Sequence, residues 1–160
     1  MGHPPRIPVC LRWEQGVIYF VTICVADRPP VLADQEAVNA LKAAASKLKH
    51  WKLLAGLLML DHLRAFVTPT EERGARLGNF SAAMKRWIRQ ELNAGWDWQP
   101  GCFDRLLRTD ESLYDKWLYV QNNPVRAGLA KRWEDWPYRI GFEDQTFEST
   151  RQAMRLPYNG

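Results

Sequence analysis

The sequence predicts an α+β fold, a ferredoxin-like split βαβ with an antiparallel sheet, helices on one face and one helix appended towards the C-terminus. Three observations predict it. An apolar, β-branched run at 17–25 reads as a strand covered on both faces. Two longer segments, 34–49 and Leu77–Leu92, carry apolar residues at helical spacing. The elements then follow in the order strand, helix, strand, strand, helix, strand, helix, and a split βαβ requires that order for its first six.

Val17, Ile18, Phe20, Val21, Ile23 and Val25 make the first strand, and Asp27-Arg28-Pro29-Pro30 stops it. Asp34 can cap the first helix. Glu36 lies in its first turn and Lys47 and Lys49 in its last, in agreement with the macrodipole, and Val38, Leu41, Ala45 and Leu48 form its apolar stripe. His50 would end it. Residues 51–59 and 63–68 read as two strands joined near Leu60-Asp61. In the second helix Leu77, Phe80, Met84, Trp87, Ile88 and Glu91 recur at helical spacing, and Asn93-Ala94-Gly95 closes it. A fourth strand is expected over 102–108. The last helix begins near Asp110 and must stop near Asn122, because the residue before Pro124 is pushed out of the α region.

The 160 residues form one expected domain (1–160), with a core over 13–140 and peripheral segments at 1–12 and 141–160. With 46% hydrophobic and 25% charged residues the chain is neither collagenous nor largely disordered. Its longest apolar run, 53–60, is about half of what a bilayer span needs, so no membrane partner is expected and the expected location is cytoplasmic. Cys10, Cys24 and Cys102 are too scattered for a disulfide framework or a thiolate zinc site and read as packing residues.

The formal charge of +4 permits an anionic partner. Between Arg76 and Arg108, six basic residues (Arg76, Lys85, Arg86, Arg89, Arg105, Arg108) face three acidic ones (Glu91, Asp97, Asp104), beside Trp87, Trp96 and Trp98. Such a mixture suits phosphates with bases stacked on aromatics, and equally suits a solvated helix face over a Trp-rich core.

On the last helix, Leu113, Trp117 and Val120 fall within about 60° of one another and define a buried stripe. Tyr119 lies roughly 120° away, on the side of Ser112, Lys116 and Asn123, where its phenol can meet a ligand or simply lie on the surface. His62 and Arg64, two apart on a strand, share a face. If that face looks towards the last helix, His62, Arg64, Tyr119 and Asn123 converge.

Several stretches carry a family resemblance. Met59-Leu60-Asp61-His62-Leu63-Arg64 is similar to the Met-Pro-Asp-His-hydrophobic-His signature of the REP-associated tyrosine transposases, single-tyrosine insertion-sequence transposases of the HUH nuclease superfamily. Trp98-Gln99, Phe103-Asp104 through Arg108, and Asp110-Glu111-Ser112 resemble that family's Trp-Gln, Phe-Asp-His-Arg-hydrophobic-Arg and Glu-Ser stretches. The segment from Lys116 to Leu129, with Tyr119 and Asn122-Asn123-Pro124-Val125-Arg126-Ala127-Gly128, resembles its catalytic tyrosine helix. Asp135-Trp136-Pro137-Tyr138 resembles its tail and Tyr19-Phe20-Val21-Thr22-Ile23 its first strand.

The resemblance implies a ferredoxin-like fold and single-strand DNA cleavage and strand transfer on hairpin-forming repeats, through a 5′-phosphotyrosine. Tyr119 would be the nucleophile and Arg64 would act beside His62. His62 and Asn123 would be ligands of a divalent Mg²⁺ or Mn²⁺, held weakly and with the help of DNA. A phenol ordinarily ionises near pH ~10, so a neighbouring cation is what makes it a nucleophile. Single-stranded or hairpin DNA is the implied partner, with Lys85, Arg86, Arg89, Arg105, Arg108, Lys116 and Arg126 as phosphate contacts. Relatives commonly act as homodimers. Two positions depart from the pattern: Arg64 stands where the second metal histidine belongs, and Arg105 where a histidine follows Phe-Asp. Arginine is a donor only and stays charged, so it cannot ligate a cation. Two readings stay open: Arg64 has replaced the metal as a phosphate clamp, or cutting is lost and a non-catalytic DNA-binding module remains.

Overall fold

A computed structural model describes residues 18–70, 76–107 and 113–141. Its elements run β1 (Tyr19–Cys24), α1 (Gln35–Ser46), β2 (Trp51–Leu58), β3 (His62–Pro69), α2 (Leu77–Leu92), β4 (Phe103–Leu106), α3 (Leu113–Gln121), α4 (Asn123–Arg126) and β5 (Arg139–Ile140). The sheet order is β4-β1-β3-β2-β5, every pairing antiparallel. The first four strands have the split βαβ order that the sequence predicts.

Alternation along β1 and β3 sorts side chains onto two covered faces. Val21, Ile23, Leu63, Ala65 and Val67 pack under α1 and α2 with Leu41, Phe80, Met84 and Ile88. Phe66 on the other face packs with Leu113, Trp117 and Val120 of α3 and with Trp136, and Phe20 joins that cluster. The helix appended in the sequence reading therefore roofs the second face. A register shift between Leu53 and Ala55 turns β2, so that Leu53 lies on the α1/α2 side while Leu54 and Ala55 face α3.

Local chemistry sets the helix ends. Asp34 caps α1 by accepting from the Ala37 amide at 2.8 Å. The helix stops at Ser46, three residues short of the expected end at Lys49: Lys47 is its C-cap, and His50 lies beyond the helix, its carbonyl accepting from Thr70 N at the entry to β2. α2 has the predicted bounds, closed by Asn93 at φ 49°, a left-handed position that Asn tolerates. α3 ends at Gln121, before Pro124, as expected. The chain then resumes as α4, where Pro124 needs no amide donor, and Gly128 at φ 76° ends that turn. Neither α4 nor β5 is anticipated by the sequence pattern.

No helix among the described residues is long and apolar enough to cross a membrane. Cys24 is buried and Cys102 half-buried, with its thiol pKa pushed up by burial. Cys10, Arg108 and Ser112 lie outside the described residues, as do both peripheral segments apart from Gly141.

Candidate functional site

β3, the middle strand, supplies the floor of the site. His62 and Arg64 share the parity of Phe66, whose ring meets Trp117 of α3 edge-on at 6.0 Å, so both point to the α3 side as the sequence reading required. Across the sheet, His62 stands opposite Cys24 and Arg64 opposite Thr22 on β1, and Thr22 and Phe20 stand opposite Phe103 and Arg105 on β4. Arg105 and Phe103 thus belong to this face as well. Phe103 is 68% exposed, an aromatic ring with a free surface at the sheet edge.

Above this floor, α3 buries Leu113, Trp117 and Val120 and leaves Tyr119 56% exposed. The guanidinium of Arg126, delivered by α4, lies 3.8 Å from the Tyr119 ring centroid. It donates to the Tyr119 carbonyl at 2.9 Å and to Asn123 Oδ1. Lys116 Nζ stands 5.8 Å from the same ring. Arg64 is half-buried, its guanidinium 5.6 Å from the Phe20 ring. Burial lowers its pKa, the nearby charge of Arg126 lowers it further, and Tyr119 opposes them. Arg126 therefore covers the Tyr119 ring, and strand parity turns Arg64 to the same side of the sheet.

His62 is held from the opposite side. Asp61 Oδ1 lies 2.8 Å from His62 Nδ1; a carboxylate only accepts, so Nδ1 carries the proton and Nε2 keeps its lone pair. Arg28 grips the same carboxylate through Nη2 at 3.1 Å and Nε at 3.0 Å. Arg28 and then His62 hold the Asp61 carboxyl below its usual range, while burial, outweighing Asp61, holds the imidazole pKa down. Arg28 reaches Asp61 from a left-handed backbone, φ 59°, following Asp27 at φ 63°. The sequence reading used Asp27-Arg28 only as a strand stop and missed this anchor. It also missed Phe103, although i, i+2 spacing with Arg105 on a strand carries that signal.

The basic residues of α2 are placed elsewhere. Lys85, Arg86 and Arg89 line a shallow cleft of about 660 Å³ with Asn93, Trp98 and Gln99, on the helix layer that covers the other face. Lys85 Nζ donates to the carbonyls of Gln99 and Gly101 at 2.8 and 2.6 Å, and Arg89 Nε to that of Trp96 at 2.7 Å. Both pin the loop between α2 and β4. Arg86 stacks on Trp87 at 4.7 Å. The structure thus brings His62, Arg64, Arg105, Lys116, Tyr119, Asn123 and Arg126 to one side of the sheet and leaves the α2 cations on the other.

No protein-family model matches the chain. A curated Haemophilus influenzae protein named as a REP-associated tyrosine transposase is 24% identical over 143 residues, 79% of this chain and 80% of that protein. The solved structure of a REP-associated tyrosine transposase bound to a REP hairpin superposes with a TM-score of 0.64 at 20% identity, over 87% of this chain and 82% of that one. The chain is similar to the REP-associated tyrosine transposases. A transposase structure from Deinococcus radiodurans aligns at 18% identity with a TM-score of 0.49, over 67% of this chain and 90% of that one.

The REP-associated tyrosine transposases imply a divalent metal, and the residues present here do not fit one. Among the described residues no three His, Cys, Asp or Glu side chains gather as a ligand set. Asp61 is engaged by Arg28 and His62, Asn123 Oδ1 by Arg126, and Arg64 brings a positive charge where a second imidazole would be needed. His62 Nε2 alone is too poor a donor set for Mg²⁺ or Mn²⁺.

Proposed function

We propose that the protein is a DNA-binding protein of the transposase type that engages single-stranded or hairpin DNA on its α3 face, with Tyr119 as the group that attacks a phosphodiester. The observation that carries this reading is an exposed phenol under one guanidinium and within electrostatic reach of another, on a chain similar to the REP-associated tyrosine transposases. In the step proposed, a bond forms between Tyr119 Oη and phosphorus and the P–O3′ bond breaks. The phenolic proton passes to a base, for which His62 Nε2 is the candidate, and from it to the departing 3′-oxygen, which leaves as a hydroxyl. Strand transfer reverses the exchange with a second 3′-hydroxyl, so no cofactor or energy source is consumed. Exposed Phe103 offers a stacking surface to a neighbouring base, and Arg105, Lys116 and Arg126 offer charge to phosphates.

Incubating the protein with hairpin oligonucleotides and resolving the products on a denaturing gel tests the reading. A covalent protein–DNA adduct is expected, absent from Tyr119→Phe. DNA binding without an adduct from hairpins spanning many flank sequences would favour the second reading, a non-catalytic DNA-binding module, which the substitution of Arg64 for a metal-binding histidine supports.

A further inference from the structure

We propose that Arg64 and Arg126 form a two-guanidinium clamp that holds the scissile phosphodiester of a DNA strand against Tyr119 with no divalent cation. The proposal rests on the DNA-binding reading above and goes beyond it in naming what replaces the metal. Two of the three positions that would serve a cation here carry or engage a guanidinium instead. Arg64 presents donors only, and the one carbonyl oxygen that Asn123 could lend is already accepting from Arg126. Among the described residues neither guanidinium pairs with a carboxylate, and the buried Nε of Arg64 has no hydrogen-bond partner. Strand parity turns Arg64 to the α3 side that carries Arg126, the charge of Arg126 is felt at Arg64, and an anion between the two relieves their repulsion.

The geometry is also preorganised. Arg64 rises from the middle strand of the sheet beside the Phe20 ring, and Arg126 is fixed by the Tyr119 carbonyl and Asn123, so little side-chain freedom remains to be lost on binding. Lys85 and Arg89 on α2 lie on the other side of the sheet, where they tie down the loop carbonyls of Gln99, Gly101 and Trp96. A planar guanidinium matches two phosphate oxygens in a way that an ammonium or a hydrated ion does not.

The test uses the full chain and a fluorescent hairpin pool with randomised loop and 5′ flank, with anisotropy read across a salt series in EDTA and in Mn²⁺. The wild type should bind within about twofold equally in both. Arg64→Gln and Arg126→Gln should each weaken binding in EDTA by about tenfold and reduce the steepness of log affinity against log salt by about 0.7, one single-strand phosphate contact. A circular-dichroism melt establishes that each variant is folded, and because Arg126 is exposed, its variant keeps the test open should Arg64→Gln not fold. Mn²⁺ that tightens wild-type binding tenfold or more overturns the clamp. So does a folded variant with unchanged affinity and slope, which leaves the DNA-binding reading standing. No binding of any hairpin by the wild type at low salt overturns both together.

Discussion

At the scale of single residues, His62 shows how a side chain can be kept neutral by its surroundings while a carboxylate holds it in place. Burial depresses its pKa, so the folded state binds a proton less readily than the unfolded chain, whose imidazole titrates near ~6.5. Below that pH the unfolded state takes up the proton first, and folding stability falls until the folded pKa is passed. The carboxyl of Asp61, shifted the same way, adds a second loss at lower pH, beginning near the unfolded carboxyl value of about 4 and ending at the folded one. The melting temperature should therefore drop between pH 7 and pH 5, and His62→Gln should show a smaller drop over that interval. An equal drop in the variant would mean that other groups carry it. That His62 and Arg64 share one face of a strand and that Tyr119 lies off the buried stripe of its helix was legible from strand parity and helix angle; which way that face looks was not. Arg126 over the Tyr119 ring was not, because seven residues separate them across a break between two helices that no periodicity describes.

At the scale of elements, the strength of local signals decides what sequence can say. α2 has a long apolar stripe and a left-handed Asn at its end, and its observed bounds match those expected. α1 looked longer because Leu48 continues the stripe, yet its carbonyls are already satisfied by the Lys47 amide and the chain must turn to enter β2. β5 has only two residues, too few for an alternation to register, and exists because the outer edge of β2 accepts them. Caps give a quantitative check. Asp34→Ala removes the bond to the Ala37 amide and should cost about 1 kcal/mol, lowering the melting temperature by about 2–4 °C in a domain of this size. Asn93→Val forces a branched residue into the left-handed region and should cost about 1–2 kcal/mol, whereas Asn93→Gly should not destabilise. A variant Asn93→Val as stable as the wild type in thermal melts would show that α2 can end elsewhere.

At the scale of the whole molecule, the sheet separates two basic regions that the sequence had grouped by charge alone. Composition could locate the excess between Arg76 and Arg108 but could not say that α2 and β4 present it to different sides. The α2 cleft and Tyr119 lie on opposite faces of the sheet, and Phe103 and Arg105 lie on its edge strand β4. The placement of His62 and Arg64 on the middle strand has another consequence, in time rather than in space. β3 is hydrogen-bonded on both sides, by β1 and β2, and lies beneath helices on both faces. No local fraying can release it, so the interior β3 amides, those of Leu63 to Val67 that bond to the flanking strands, should exchange with deuterium only when the entire domain opens. The amides of α3, held by side chains along one stripe, should exchange sooner. Hydrogen exchange followed by mass spectrometry reads the difference: equal protection in β3 and α3 would mean that the two open together. With Tyr119 in the proposed role of nucleophile, a site whose floor is the slowest part of the molecule and whose tyrosine rides on a faster one would reset that group many times within the lifetime of a single folded state.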